Sequence, residues 1–445
     1  MRKRRARARR ATLWLAAGGL CLSLGTEALE TRHFGALSVT PTINARLGMQ
    51  YGTGINFGYG AIDDAGETER SSASLSIKPR IGLSYDTAPG TQLYGAVSAA
   101  AATTTLDGEI GGQYARSGDA DIDTDDLHVG IRNGTFDLSF GAQEFWVGDG
   151  FLIGDGNLDT GRRDGQFWNF PFAAWRNSAI LKINTEHVHG DVFWLRSDQD
   201  FGDSRLVGIN VENRPGEYSG IFGFMYLEVI AGNALHFDGV KLWNLRAHKL
   251  TVPGLDHFTL WGEVAIQRGN DEDGGGRDNT ALGWYLEGAY EFAALPWKPV
   301  LSYRYIHLSG DDPDTADNEE FRGLFYTFYK REWDTWYQGE IAGEYHLFNQ
   351  NQVTQMVKLR TFPVENWALT LYYYRHDLEQ AQYYGTPLSS TAWADELNLS
   401  VEYFHGESFY GYAGLAWSRP DDAAREAYGN DDDFTVIQTF LMYTF

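Results

Sequence analysis

The chain has 445 residues, with 36 Lys and Arg against 60 Asp and Glu, a formal charge of −24, and 26 Phe, 25 Tyr and 14 Trp. A hydrophobic content of 43% beside 22% charged residues is too apolar for a disordered acidic chain, and no Lys/Arg stripe lies beyond the first ten residues, which argues against nucleic acid as a partner. Cys21 is the only cysteine, so a disulfide, a CxxC redox pair and a cysteine-built zinc site are excluded.

Residues 2–10 carry Arg2, Lys3, Arg4, Arg5, Arg7, Arg9 and Arg10, followed by a mostly apolar run from Ala11 to Gly25 and small or polar residues to Ala28. That is the form of a secretory signal peptide. Its apolar core, about 15 residues, falls short of the roughly 20 that a membrane-spanning helix needs. Residues 1–28 are expected to be a leader and 29–445 a single exported domain.

From Val39 onward the dominant pattern has period two. Leu75, Ile77, Ile81, Leu83 and Tyr85 alternate with Ser76, Lys78, Arg80, Gly82 and Ser84; Leu397, Leu399, Val401 and Tyr403 alternate with Glu396, Asn398, Ser400 and Glu402. Alternation alone fits both a soluble sandwich and a membrane barrel. Connection lengths separate them: short ones at 87–90, 133–135 and 214–216 interleave with long polar ones at 52–72, 107–122, 145–175, 269–279, 310–350, 377–392 and 419–432. Outer-membrane barrels have short periplasmic turns and long outer loops. Aromatic groups such as Tyr372-Tyr373-Tyr374, Trp284-Tyr285 and Phe409-Tyr410 read as interfacial girdles, and the last strand ends on Phe445 with Ile437, Leu441 and Tyr443 on its parity.

Nineteen segments read as strands, but a single-chain bacterial barrel takes an even number. Placing 336–347 as an extended element inside the 310–350 loop restores the alternation of short and long connections. The expected fold class is all-β: a transmembrane antiparallel β-barrel of about 18 strands, with 16 as the alternative, whose long extracellular loops fold partly into the lumen.

Parity then places Arg46, Lys78, Arg80, Arg132, Lys182, Arg304, Lys358 and Arg360 on the lumen face, since a lipid-facing charge at mid-depth costs about 2–4 kcal/mol. Asp137, Glu263, Glu287, Glu396 and Glu402 share that face. These charges form either a basic path for an anionic solute or a salt-bridged wall. The loop from Trp146 to Trp175 holds GDGFLIGDG (148–156), Arg162, Arg163 and the aromatics Phe167, Trp168, Phe170 and Phe172, a content suited to a constriction folded into the lumen or to a packed lid. Asp149 with Asp155, or Asp119, Asp121, Asp123 and Asp125, offer oxygen to a hard cation, but such runs are more often solvated, so no metal and no cofactor is assigned. GxSxG, HExxH and GxxxxGK[ST] are absent. His187 and His189 lack an evident third ligand, Glu340 and Glu344 alone do not define a catalytic pair, and no catalytic residue is assigned.

With FYKREWDTWYQGEIAGEY (328–345), the loop 145–175, LFNQNQVTQMVKLRTFP (347–363), DDDFTV (431–436) and the terminal Phe445, the chain resembles the alginate-export family of outer-membrane porins. The resemblance implies an eighteen-stranded barrel in the outer membrane of a Gram-negative bacterium, passing an anionic uronate polysaccharide such as alginate through a basic lumen. It carries Lys330, Arg331, Lys358 and Arg360 over as candidate ligands. The acidity of the chain and its inward glutamates depart from an overwhelmingly basic tunnel.

The leading expectation is a non-enzymatic channel with selectivity from lumen bases and the 145–175 and 310–350 loops. A general or small-solute-selective porin without a polymer substrate is the alternative, and an outer-membrane hydrolase the weaker third. Expected partners are an anionic polysaccharide or small anionic solutes, outer-membrane lipid and lipopolysaccharide, the barrel-assembly machinery and periplasmic export proteins, with no nucleic acid.

Overall fold

The computed structural model describes residues 29–113, 115–157, 171–199, 202–214, 220–232, 238–271, 276–327 and 338–445. The leader read at 1–28 lies outside them. Eighteen antiparallel strands follow one another around a closed sheet: β1 (Leu37–Thr53), β2 (Glu69–Ala88), β3 (Thr91–Leu106), β4 (Ala120–Arg132), β5 (Phe136–Ala142), β6 (Asn177–Asn184), β7 (Val188–Arg196), β8 (Arg205–Asn213), β9 (Ile221–Ala231), β10 (Lys241–Val252), β11 (Leu255–Asp271), β12 (Arg277–Glu291), β13 (Val300–Leu308), β14 (Gln352–Val364), β15 (Trp367–Leu378), β16 (Ala392–His405), β17 (Phe409–Pro420) and β18 (Phe434–Thr444). A further short strand, Arg32–Phe34, folds back on the start of β1 and is not a stave.

Closure comes at β1, which pairs with β2 on one edge and with β18 on the other, Leu47 lying opposite both Leu75 and Leu441. A bilayer offers no hydrogen bonds to a free strand edge, so only a closed sheet satisfies every backbone group at membrane depth. No helix among the described residues is long and apolar enough to cross a membrane; the crossing is made by strands.

The side chains invert the soluble pattern. Leu75, Ile77, Ile81, Leu83, Leu397, Leu399 and Val401 are among the exposed large apolar residues, while Ser76, Lys78, Glu396, Asn398, Ser400 and Glu402 are buried inside. Outward aromatics gather near the periplasmic rim, with Trp367 against Tyr403 at 4.9 Å and Tyr443 against Phe445 at 4.4 Å between centroids. The aromatic groups read as girdles are split by parity: Tyr373, Trp284 and Phe409 face outward, whereas Tyr372, Tyr374, Tyr285 and Tyr410 turn into the lumen and are buried.

Connections alternate as the sequence suggested. Two residues, Glu365 and Asn366, join β14 to β15, whereas residues 309–351 join β13 to β14. The described part of the segment read as extended at 336–347, residues 338–347, is not a stave, and it is also not extended: Ala342–Leu347 forms a π-helical turn lying buried in the lumen. A ladder partner is what holds a segment extended, and here the backbone instead finds acceptors on the wall, as described below.

At the outer end, α1 (Asp422–Tyr428) caps the loop before β18, with the Asp421 carboxylate accepting the Asp422 N–H. Burial raises the Asp421 pKa, but the Arg375 guanidinium, donating at 2.9 Å, and the Asp422 N–H outweigh burial and hold it below the ordinary carboxyl value. A depressed pKa contributes stability that is complete above the unfolded value, near 3.9, and is lost as pH falls through the folded one. Hydrogen-exchange protection in residues 421–429, relative to the intrinsic rate at each pH, should therefore be high at neutral pH and fall below about pH 4, with the loss beginning at higher pH in Arg375→Gln. For the wall, Leu399→Arg is expected to cost about 2–4 kcal/mol in equilibrium unfolding from lipid vesicles, and Leu399→Ile less than about 1.5 kcal/mol.

Candidate functional site

The barrel interior combines two ladders of bases with a plug made by two loops. Along β13 and β14, Arg360 lies opposite Val300, Lys358 opposite Ser302 and Arg304 opposite Met356, so the three bases occupy successive lumen-facing rungs rising from the periplasmic rim, roughly 7 Å apart along the strands. The second ladder, on β1 and β2, has Arg80 opposite Thr42, Lys78 opposite Asn44 and Arg46 opposite Ser76.

Both ladders are interleaved with acids. Arg304 Nε donates to Glu287 Oε2 at 2.8 Å, Lys358 Nζ lies 3.5 Å from Glu287 Oε1, and Arg360 Nη1 lies 2.8 Å from Glu402 Oε2. Tyr410 donates its hydroxyl to Glu402 Oε1 at 3.0 Å. On the other ladder Lys78 pairs with Asp125, and Arg80 Nε donates to Asp126 Oδ2 at 3.0 Å. Two consecutive carboxylates reach the lumen because β4 bulges: the register steps from Val97–Leu127 to Ala99–Thr124, leaving Asp125 and Asp126 opposite the single residue Ser98, which bends the strand and breaks strict alternation.

The remaining sequence-derived bases lie elsewhere. Arg132 is exposed near the periplasmic turn, donating to Gln92 Oε1 at 2.9 Å and stacked over Tyr94. Lys182 sits opposite Asp137 on the neighbouring strand, with Nζ 5.7 Å from the Phe145 ring centroid. Arg162, Arg163, Lys330 and Arg331 lie outside the described residues.

The plug is a joint product of two connections, of which residues 143–157 and 171–176 of the first and 309–327 and 338–351 of the second are described. Gly154 donates its N–H to Phe325 O at 2.7 Å, Phe325 to Leu152 O at 3.1 Å and Thr327 to Gly150 O at 2.8 Å. Gly150, at φ +84°, is needed there: a Cβ would fall 1.6 Å from Thr327 Oγ1. Wall carboxylates then hold each loop by its backbone. Asp125 Oδ1 accepts from Ala173 and Ala174 at 3.1 and 3.0 Å, and Glu396 accepts from Ile341 and Ala342 at 3.1 and 2.8 Å. Gln267 clasps Arg322 through both its amide atoms. Phe151, Ile153, Trp175, Phe325 and Tyr345 pack as one buried cluster with inward wall residues, so plug and wall share a hydrophobic core. Glu340 and Glu344 are buried within it, Glu340 accepting from Gln438 at 2.5 Å.

The suggested acidic cation sites do not assemble. Asp125 is taken by Lys78 and the plug, and Asp155 accepts the Asn157 N–H at 2.9 Å. His189 bonds Asn184 and Asp191, while His187 is exposed on the adjoining turn. Parity placed Glu263 of β11 in the lumen, but the sequence reading did not single out His248 on β10 or join these two with Asp149 on the plug into one group. The Asn244, Arg246, His248 alternation on β10 was a usable signal for the wall part; the approach of Asp149 depends on loop folding.

A closed barrel with a polar, charge-lined interior narrowed by its own outer loops is an outer-membrane porin fold. The chain is similar in structure to a BenF-like porin from Pseudomonas fluorescens Pf-5 (TM-score 0.59, 11% identity, covering 92% of this chain and 98% of that one), to OccK5 (OpdH) of Pseudomonas aeruginosa (0.57, 10%, 91% and 97%) and to the outer membrane protein opdK from the same species (0.55, 10%, 91% and 98%). At these identities the likeness is one of fold. Residues 226–407 match the alginate export family model, a span that includes Arg304, Lys358, Arg360 and the second plug loop. No curated protein sequence matches the chain significantly. The protein has the fold of an outer-membrane β-barrel porin.

If the plug sets the constriction, Gly150→Ala should loosen its junction with Thr327 while leaving the staves intact. Single-channel recordings are expected to show a larger or noisier conductance than wild type, with barrel content unchanged by circular dichroism.

Proposed function

We propose that the barrel passes an anionic uronate saccharide chain, using the Arg304–Lys358–Arg360 ladder as its path. The observation that carries this reading is the coincidence of that ladder with the 226–407 family match. Lys358 and Arg360 keep 15% and 16% of their side-chain surface in water, enough for a passing carboxylate to reach them.

Ion pairing along the ladder suits conduction rather than storage. A solute carboxylate that displaces Glu402 from Arg360, or Glu287 from Lys358, exchanges one charge-assisted contact for another. Such exchange leaves no site deep enough to trap the solute, and weak repeated sites are what a conducting pore requires. The acids also prevent a column of unpaired buried cations, each of which carries a desolvation penalty of several kcal/mol. Arg46, Lys78, Arg80, Arg132 and Lys182 complete the proposed basic surface, with Arg162, Arg163, Lys330 and Arg331 as loop contributors. Residues 1–28 act in this reading as the export leader, and periplasmic export proteins as the source of the polymer.

A second reading, a porin selective for small anions, is favoured by the interlocked plug, because two loops joined across the lumen leave less room for a polymer than an open barrel does.

Reversal potentials in planar bilayers across a salt gradient, with and without oligouronates, test both. Anion preference together with oligouronate block is expected. The triple change Arg80→Gln, Lys358→Gln and Arg360→Gln should lower that preference while the barrel stays folded; unchanged selectivity removes the ladders from the path. Anion preference with indifference to oligouronates selects the small-solute reading.

A further inference from the structure

We propose that Asp149, His248 and Glu263 bind one first-row transition-metal dication of the Zn²⁺ class, fastening the plug to the barrel wall. This does not depend on the cargo. The three residues come from three segments, and one ligand atom of each lies within 4.8 Å of the others.

His248 Nε2 is the focus. It lies 2.8 Å from Glu263 Oε1, 3.1 Å from the Tyr285 hydroxyl and 4.0 Å from Asp149 Oδ2. One imidazole nitrogen carries at most one proton, so it can bond only one of the two carboxylates, Glu263 being the nearer, while Asp149 accepts the Tyr285 hydroxyl instead. A metal ion at the centre would bind the nitrogen and both carboxylates together. With metal–ligand bonds of about 2.0–2.2 Å, the three atoms need shift by less than about 1 Å to close around it.

The surroundings are arranged as an outer shell. Asn244 Nδ2 donates to Glu263 Oε2 at 2.9 Å, leaving Oε1 turned toward His248, and Tyr285 donates to Asp149 Oδ2 at 3.1 Å. Such second-layer contacts orient metal ligands. Asp149 sits between Gly148 (φ +63°) and Gly150 (φ +84°), and a Cβ on Gly148 would come within 3.2 Å of Arg246 and 3.5 Å of the His248 ring. Glycine there lets the loop press close to the wall.

The nearby cations are already engaged: Arg246 with Glu212 at 2.6 Å and Arg304 with Glu287 at 2.8 Å. His248 and Glu263 are nearly buried, but Asp149 keeps 39% of its side-chain surface in water, an entry route from the lumen. A nitrogen with two carboxylates selects the class, since Ca²⁺ and Mg²⁺ prefer all-oxygen shells with more ligands.

The test is calorimetric titration of the chelator-treated, detergent-folded barrel with Zn²⁺, repeated with Ca²⁺. One Zn²⁺ per barrel is expected, with Ca²⁺ weaker, and affinity falling about tenfold or more in Asp149→Asn and in His248→Gln. Asp149 lies on the plug, outside the staves, so Asp149→Asn reports on the site even if His248→Gln perturbs assembly. In bilayers, Zn²⁺ should quieten plug fluctuations in wild type and not in Asp149→Asn. No Zn²⁺ binding to the folded wild type, or binding that survives Asp149→Asn unchanged, overturns the proposal.

Discussion

Everything inside this barrel follows from one constraint: at membrane depth the outer face must be apolar, so the charge the staves carry within the membrane has to go inward and be neutralised there. The lumen meets this pair by pair. Glu287 serves two bases at once, and Glu402 joins Arg360 to Tyr410. In the proposed function, a wall balanced in this way would pass charged solutes by exchanging one partner for another of comparable strength.

Other carboxylates of the wall, Asp125 and Glu396, hold the plug. Asp125 binds Lys78 with one oxygen and two loop N–H groups with the other, and Glu396 receives two N–H groups from the π-helical turn. Buried N–H groups at the turns of an irregular loop are costly unless accepted. The wall therefore supplies acceptors that regular secondary structure would have given, and that is how irregular backbone is tolerated at membrane depth. A single residue, Asp125, thereby ties a lumen base to the position of the plug.

The architecture was readable because period-two alternation and connection length are local signals. Leu399 beside Ser400 gives the face, and the two-residue Glu365-Asn366 turn against the 309–351 loop gives the side. Individual strands obeyed less simply. Tyr372 and Tyr374 read as girdle residues because clustering of aromatics says nothing about parity, which turns only Tyr373 toward lipid. Asp125 entered the lumen beside Asp126 through a one-residue bulge that no periodicity announces. The 336–347 segment reads as extended from its place in the alternation of connections, but residues 338–347 have no strand alongside, and the Glu396 carboxylate on β16, accepting two of their backbone N–H groups, decided their shape. Asp149 reaches His248 through a fold of the plug, a contact between residues about a hundred positions apart that sequence spacing cannot express.

The junction between the two plug loops also orders events during assembly. Gly150 and Thr327 are separated by 177 positions, with eight staves between their loops, whereas neighbouring hairpins form from local contacts. Closing so long a loop has a high entropic cost until the intervening strands are in place. Loop-closure entropy therefore favours an interlock that forms after the staves have paired. A barrel whose two loops had not yet met would have a wider bore than the finished molecule, and would leak more across the membrane that holds it.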